Sequence, residues 1–104
     1  MELLRRDENM AWLDWGTGPG AVPSYKTYFS AEDTGTTGLL QGTLIYPPGA
    51  RVVPHRHTPV ETYFVLSGTG AAHVGGDSFR LAPGTGVFVP SLTAHWFEND
   101  SEAP

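Results

Sequence analysis

The chain has 104 residues, the size of one domain, with 39% hydrophobic and 16% charged residues, 13 glycines and 9 prolines. Few charges and many turn formers exclude a charged disordered chain and a helical bundle, and point to short strands joined by turns. Six basic against eleven acidic residues give a net charge of -5, leaving no basic stripe for a phosphate backbone, so nucleic acid is not an expected partner. The absence of cysteine removes a disulfide framework, a thiolate nucleophile, iron–sulfur clusters and Cys-ligated zinc. No apolar run is long enough to span a bilayer, and none follows Arg5 and Arg6 as a secretory signal requires. No membrane partner and a cytoplasmic location are therefore expected.

The sequence reads as a single domain, 1–104, with an N-terminal arm over 1–38 and a patterned region over 39–99. In the arm, Leu3, Leu4, Trp12, Leu13 and Trp15 are large apolar groups among charges. The two tryptophans read as a packing patch that closes one end of the domain or meets a second subunit. A loop follows at Gly16-Thr17-Gly18-Pro19-Gly20, then a short strand at Tyr25–Phe29 and a polar turn over Ala31–Gly38. From Leu39 the pattern sharpens. Leu40–Tyr46 is β-prone and stops at Pro47-Pro48-Gly49; Arg51–Val53 is a short extended piece stopped by Pro54. Glu61–Leu66 is the clearest strand. Ala71–Val74 and Ser78–Leu81 flank a hairpin signal at Gly75-Gly76-Asp77. Thr85–Val89 and His95–Phe97 complete the series. Short strands at this spacing predict an all-β fold, an antiparallel sandwich or barrel.

Four histidines occur, and two of them are His55 and His57. Residues two apart on an extended strand project from one face, so these imidazoles share a direction. Pro54 and Pro59 restrict the backbone on either side. Glu61 follows after a bend, and His95 offers a third imidazole from a distant strand. Three imidazoles and a carboxylate suit a divalent first-row metal. His73, beside the hairpin, reads as a surface or hydrogen-bonded histidine.

The spacing Gly49-x5-His55-x-His57-x3-Glu61-x6-Gly68 resembles the first motif of the cupin superfamily at every position. Gly84-x5-Pro90-x-Leu92-x2-His95-x3-Asn99 is similar to the second, with Leu92 where the family pattern has Gly. From this chain's own composition, chance gives the first motif with odds of roughly one in ten thousand. The resemblance implies a small antiparallel jelly-roll β-barrel, the double-stranded β-helix. It also implies one divalent metal ion per chain (Fe, Mn, Ni, Co or Zn) on His55, His57, Glu61 and His95, with coordination positions left for water or substrate. A homodimer is implied as well, supported by the apolar arm.

Around those ligands, Arg51 has the parity of His55 and is a candidate to bind a substrate carboxylate or phosphate, or to act in catalysis; its alternative is a solvated loop arginine. Arg56 points the opposite way, to the surface. Tyr63 shares a face with Glu61 and either donates a proton or lines the wall. Leu92 would narrow the mouth, with strain if its position needs positive φ. Phe97, on the face of His95, is a candidate wall residue, though it reads first as packing, as do Phe64 and Trp96. The functional expectation is a metal-dependent enzyme acting on a small oxygen-rich or anionic organic substrate. Dioxygenase chemistry leads, with lyase or isomerase chemistry close behind. The alternatives are a non-catalytic small-molecule-binding cupin and a structural protein with a vestigial site.

Overall fold

The structure, a computed structural model, describes residues 3–16, 21–36 and 38–104. Eight strands form in chain order: β1 (Leu13–Asp14), β2 (Ser24–Phe29), β3 (Gln41–Ile45), β4 (Glu61–Phe64), β5 (Gly70–Val74), β6 (Asp77–Leu81), β7 (Gly86–Val89) and β8 (His95–Glu98). All pairings are antiparallel, in ladders ordered β1-β2-β3, β4-β7 and β6-β5-β8. The all-β expectation therefore holds, although among the described residues the ladders do not close into one continuous ring. The expected glycine loop falls largely on residues 17–20, outside the described residues. The expected polar turn contains one helical turn, α1 (Ala31–Thr34), which Ser30 caps by accepting from the Asp33 N–H at 3.2 Å. No helix among the described residues is long and apolar enough to cross a membrane.

Local chemistry explains the strand boundaries. The β5–β6 hairpin turns through Gly75-Gly76, with Gly75 at φ 59°, and pairs Val74 with Asp77 directly. At the start of β7, Gly84 donates to Val65 O while Val65 N donates to Thr85 O, both at 2.9 Å. Two residues thus oppose one, a bulge whose first residue needs the positive φ of 84° that Gly84 supplies.

Alternation then divides each strand into two faces. Ala72, Val74, Val87, Val89 and Phe97 point inward and form the buried core, against which Tyr46, Tyr63 and Leu81 pack. Burying each valine or phenylalanine contributes about 1.5–3 kcal/mol. The Tyr63 ring meets Phe97 edge-on at 4.5 Å, joining the β4-β7 layer to β8.

The arm is fixed by polar contacts. Lys26, on β2, is buried; its ammonium donates to Asp7 O at 3.0 Å, lies 3.2 Å from the Asp7 carboxylate and sits 4.4 Å over the Trp12 ring. Tyr28 donates to the same carboxylate at 2.6 Å, and this bond is the main reason the Asp7 pKa is lowered. Trp15 packs edge-on against Tyr25. Both tryptophans thus lie on β2 within their own chain.

Asn99 closes the other end. Its buried amide donates to Tyr46 O and to Ala103 O, each at 2.7 Å, while its oxygen accepts from the Ser101 N–H and hydroxyl. An Asn99→Ala change strands two carbonyls that were hydrogen-bonded, so urea titration is expected to show a loss of about 2–4 kcal/mol. Asn99→Asp should not rescue it, because a carboxylate has no N–H to give those carbonyls.

Candidate metal centre

His55 and His95 are brought together by the backbone. They exchange both hydrogen bonds, His55 N to His95 O at 3.1 Å and His95 N to His55 O at 2.9 Å, so their side chains project from one face. The ring centroids lie 4.3 Å apart. His57 follows on the chain that bends toward β4, with its ring 4.9 Å from that of His95. One ring nitrogen from each of the three falls within 4.8 Å of the others.

Each Nδ1 lies 2.9 Å from a backbone carbonyl: Val53 O for His55, Pro59 O for His57 and Thr93 O for His95. A carbonyl only accepts, so every Nδ1 carries the proton and every Nε2 of a neutral ring presents a bare lone pair. Such an outer partner fixes a ligating histidine's tautomer and direction. The Nε2 atoms of His57 and His95 are buried and make no hydrogen bond. The Glu61 carboxylate, at the head of β4, stands 2.6 Å from His57 Nε2 and 3.7 Å from His95 Nε2. A bare imidazole nitrogen and a carboxylate oxygen repel at 2.6 Å unless a positive charge lies between them. The donor set therefore fits a divalent cation.

Tyr63 points its hydroxyl at Glu61 and donates to Oε2. Burial first, and then this bond to Glu61, push its phenol pKa well above the ordinary value. Tyr46, which follows β3, is raised by burial and then by the Glu61 charge. The phenol of Tyr46 thus belongs to the surroundings of the cluster, a neighbour the sequence reading missed. Its only signal there was an aromatic residue at the end of a β-prone run.

Arg51 lies elsewhere. It is exposed and opposite Glu98, whereas His55 is opposite His95, so four residues on one chain face three on the other. This shift of one residue falls around Pro54, and it places Arg51 on the face opposite to His55. The parity expected from a regular strand does not survive the bulge. Arg56 is exposed, as expected. Phe97 is buried beneath Tyr63.

Leu92 is the one non-glycine residue at positive φ among the described residues, at 59°. Thr93 N bonds back to Pro90 O, giving a turn with Leu92 in the third position, where type II geometry favours glycine. The Leu92 N–H donates to His57 O at 2.8 Å, tying this turn to the segment that carries His57, and its side chain is 58% exposed. Leu92→Gly relieves the left-handed strain and should stabilise the protein by about 1 kcal/mol, a melting-temperature rise of about 4–8 °C in calorimetry. A fall instead would mean the leucine side chain is worth more than the strain it carries.

Antiparallel ladders that bring three imidazoles together, close enough to hold a metal ion, define an all-β protein of jelly-roll type. Residues 42–104 match the family model of the cupin domain, and the chain belongs to the cupin superfamily. Among solved structures, it is similar to a predicted oxalate decarboxylase from Thermotoga maritima (TM-score 0.82, 23% identity, 97% of this chain and 90% of that one). Among curated proteins, it is 29% identical to the dimethylsulfoniopropionate lyase DddW of Ruegeria pomeroyi over 85 residues, 80% of this chain and 55% of that protein. It is 34% identical to a 5-aminosalicylate 1,2-dioxygenase of Comamonas over 85 residues, 81% of this chain and 22% of that one. The chain spans about half or less of the length of these curated relatives.

Proposed function

We propose that the protein is a metal-dependent cupin enzyme acting on a small oxygen-rich or anionic organic substrate, with one divalent ion per chain held by His55, His57, His95 and Glu61. The observation that carries this reading is the set of three Nε2 lone pairs, each fixed by an Nδ1 bond to a carbonyl, beside the Glu61 carboxylate. A bound divalent ion would supply Lewis acidity or, if redox-active, dioxygen chemistry. The chain's own residues do the rest. Val87, Val89 and Phe97 exclude water from the inner wall. Tyr63, a neutral phenol like any tyrosine at physiological pH, holds a proton one hydrogen bond from Glu61 and is the candidate to pass it to a substrate oxygen.

Oxidative cleavage is the leading reaction, and similarity to an aminosalicylate dioxygenase supports it. The Tyr63–Glu61 pair favours a second reading, a lyase that moves a proton without oxygen, and the similarity to DddW supports that one. Iron(II)-loaded protein incubated with 5-aminosalicylate, and separately with dimethylsulfoniopropionate, under oxygen and under nitrogen tests both. Product that needs oxygen supports the oxygenase, and product formed under nitrogen supports the lyase. Saturable binding of either compound without product would instead make the protein a small-molecule-binding cupin.

A further inference from the structure

The outer face of the β6-β5-β8 ladder carries a second cluster of reactive side chains, on the other side of the sheet from His95. His73 stands opposite Ser78 across the β5–β6 hairpin and opposite Trp96 on β8. The Ser78 hydroxyl lies 2.8 Å from His73 Nδ1, and the Glu98 carboxylate lies 3.1 Å from Nε2. An ionised carboxylate only accepts, so Nε2 of the neutral ring carries the proton, Nδ1 is a lone pair, and Ser78 donates to it. This is the reverse of the tautomer at the metal centre. Trp96 stacks on the imidazole at 3.9 Å and 14°, which fixes the ring plane and offers a π-face to an imidazolium. His73 is half-buried and Ser78 exposed, so the base is held while the hydroxyl is open to solvent. The backbone adds a donor. Gly75-Gly76 is a two-residue turn, so Val74 and Asp77 form the hydrogen-bonded pair that closes it. The next pair, His73 with Ser78, is then of the non-hydrogen-bonded kind, which brings the side chains close and turns the Ser78 N–H away from β5. There β6 is an edge strand, and no backbone carbonyl among the described residues accepts from that N–H. An N–H beside the nucleophilic oxygen is placed to stabilise the oxyanion of acyl transfer.

We propose that Ser78, His73 and Glu98 form a second, metal-independent active site that hydrolyses small uncharged esters through an acyl-serine. Ser78 Oγ attacks the carbonyl carbon and passes its proton to His73 Nδ1, while the Ser78 N–H faces the developing oxyanion. The ester C–O bond breaks, and the leaving alkoxide takes the proton from Nδ1. Water then attacks the acyl-serine and gives its proton to Nδ1, and Ser78 recovers that proton as the acid departs. Ester and water thus become alcohol and acid, with nothing oxidised. Glu98 is a positioning residue: it keeps the imidazole in the accepting tautomer and stabilises its cation. The charges nearby select the substrate class. Arg80 is committed to Asp100 by two bonds of 2.6 and 3.0 Å, and Arg51 stands opposite Glu98. The face therefore has no surplus positive charge to hold an anion, and an uncharged ester fits it.

Hydrolysis of para-nitrophenyl acetate by the whole chain tests this. Metal-loaded and chelator-stripped protein should release nitrophenol at the same rate, about a hundredfold above an equal concentration of free histidine. Peptide mass spectrometry of briefly treated wild type should find the acetyl group on Ser78, a readout that needs no variant. Ser78→Ala, an exposed change whose folding is checked by circular dichroism, should fall to the free-histidine rate. Glu98→Gln turns an acceptor into an amide that can donate to Nε2, which moves the ring proton to Nδ1. Its kcat should drop about tenfold or more with KM nearly constant, a split that mere loosening of the sheet would not give. A wild type no faster than free histidine, acetyl found only on other residues, or a Ser78→Ala variant that keeps its rate overturns the proposal. So does activity that leaves with the metal. Stripping the metal removes the reaction proposed above and spares this one, so the failure of either is read separately.

Discussion

Replacing His95 with alanine is expected to abolish metal uptake and lower the melting temperature of the metal-loaded protein. The side chain is 1% exposed, its Nδ1 is committed to Thr93 O, and its Nε2 is a buried lone pair with no hydrogen bond. Without it, two imidazoles remain, and His55 loses the ring that lay 4.3 Å from its own. An ion that binds the folded state alone stabilises it by about 2.7 kcal/mol at a hundredfold excess over its dissociation constant. The variant forfeits that and also opens a cavity. Elemental analysis should find less than about one tenth of the wild-type metal, since a four-donor site that loses one of its imidazoles binds far more weakly. Chelator separates the two effects: stripped wild type and stripped variant should differ only by the packing loss. His73→Ala is the control. That ring lies on the other face of β5, stacked on Trp96 at 3.9 Å and bonded to Ser78 and Glu98, and its loss should leave metal content unchanged. Full metal occupancy in the His95 variant would remove the basis of the site.

The distribution of what was legible follows from range. Strands with strong alternation and turns with glycine or proline at fixed positions are local, and the strand runs from Tyr25 to Phe97 correspond to β2–β8 within a few residues, except Arg51–Val53, which forms only an isolated bridge at Arg51. The Gly84 bulge and the Gly75-Gly76 turn need glycine for backbone reasons visible in the sequence. The convergence of His55 with His95 is not local, and it was readable only through motif spacing. Arg51 shows the limit of period-two reasoning: one extra residue near Pro54 inverts the face, and nothing in the sequence counts residues on the opposing strand. Tyr46 shows another limit, since its relation to Glu61 is purely tertiary. In the arm, buried Lys26 contradicts composition alone. A lysine is buried only when its charge is met, and the partners, Asp7 and the Trp12 ring, lie 19 and 14 positions away.

Tyr63→Phe is expected to leave metal content unchanged and to reduce turnover by about 10²–10⁴-fold, the usual worth of a positioned proton donor. The substitution removes one oxygen and keeps the ring, so the edge-on contact with Phe97 and the join between the two layers survive. A mere wall residue would shift KM modestly and leave kcat alone; a proton donor loses kcat with KM nearly constant. A stability profile against pH gives a readout that does not need substrate. The folded-state phenol pKa is raised, by burial and then by Glu61, whereas the unfolded chain ionises near pH 10. A raised pKa means that the folded state keeps its proton longer, so the associated stability is fully present below pH 10 and is lost as pH climbs beyond it. In Tyr63→Phe that alkaline decline should become shallower, with the remainder carried by Tyr46, whose phenol is raised by burial and then by the same carboxylate. An unchanged decline, together with unchanged kcat, would assign Tyr63 to packing and shift the proton-handling role to Glu61 alone.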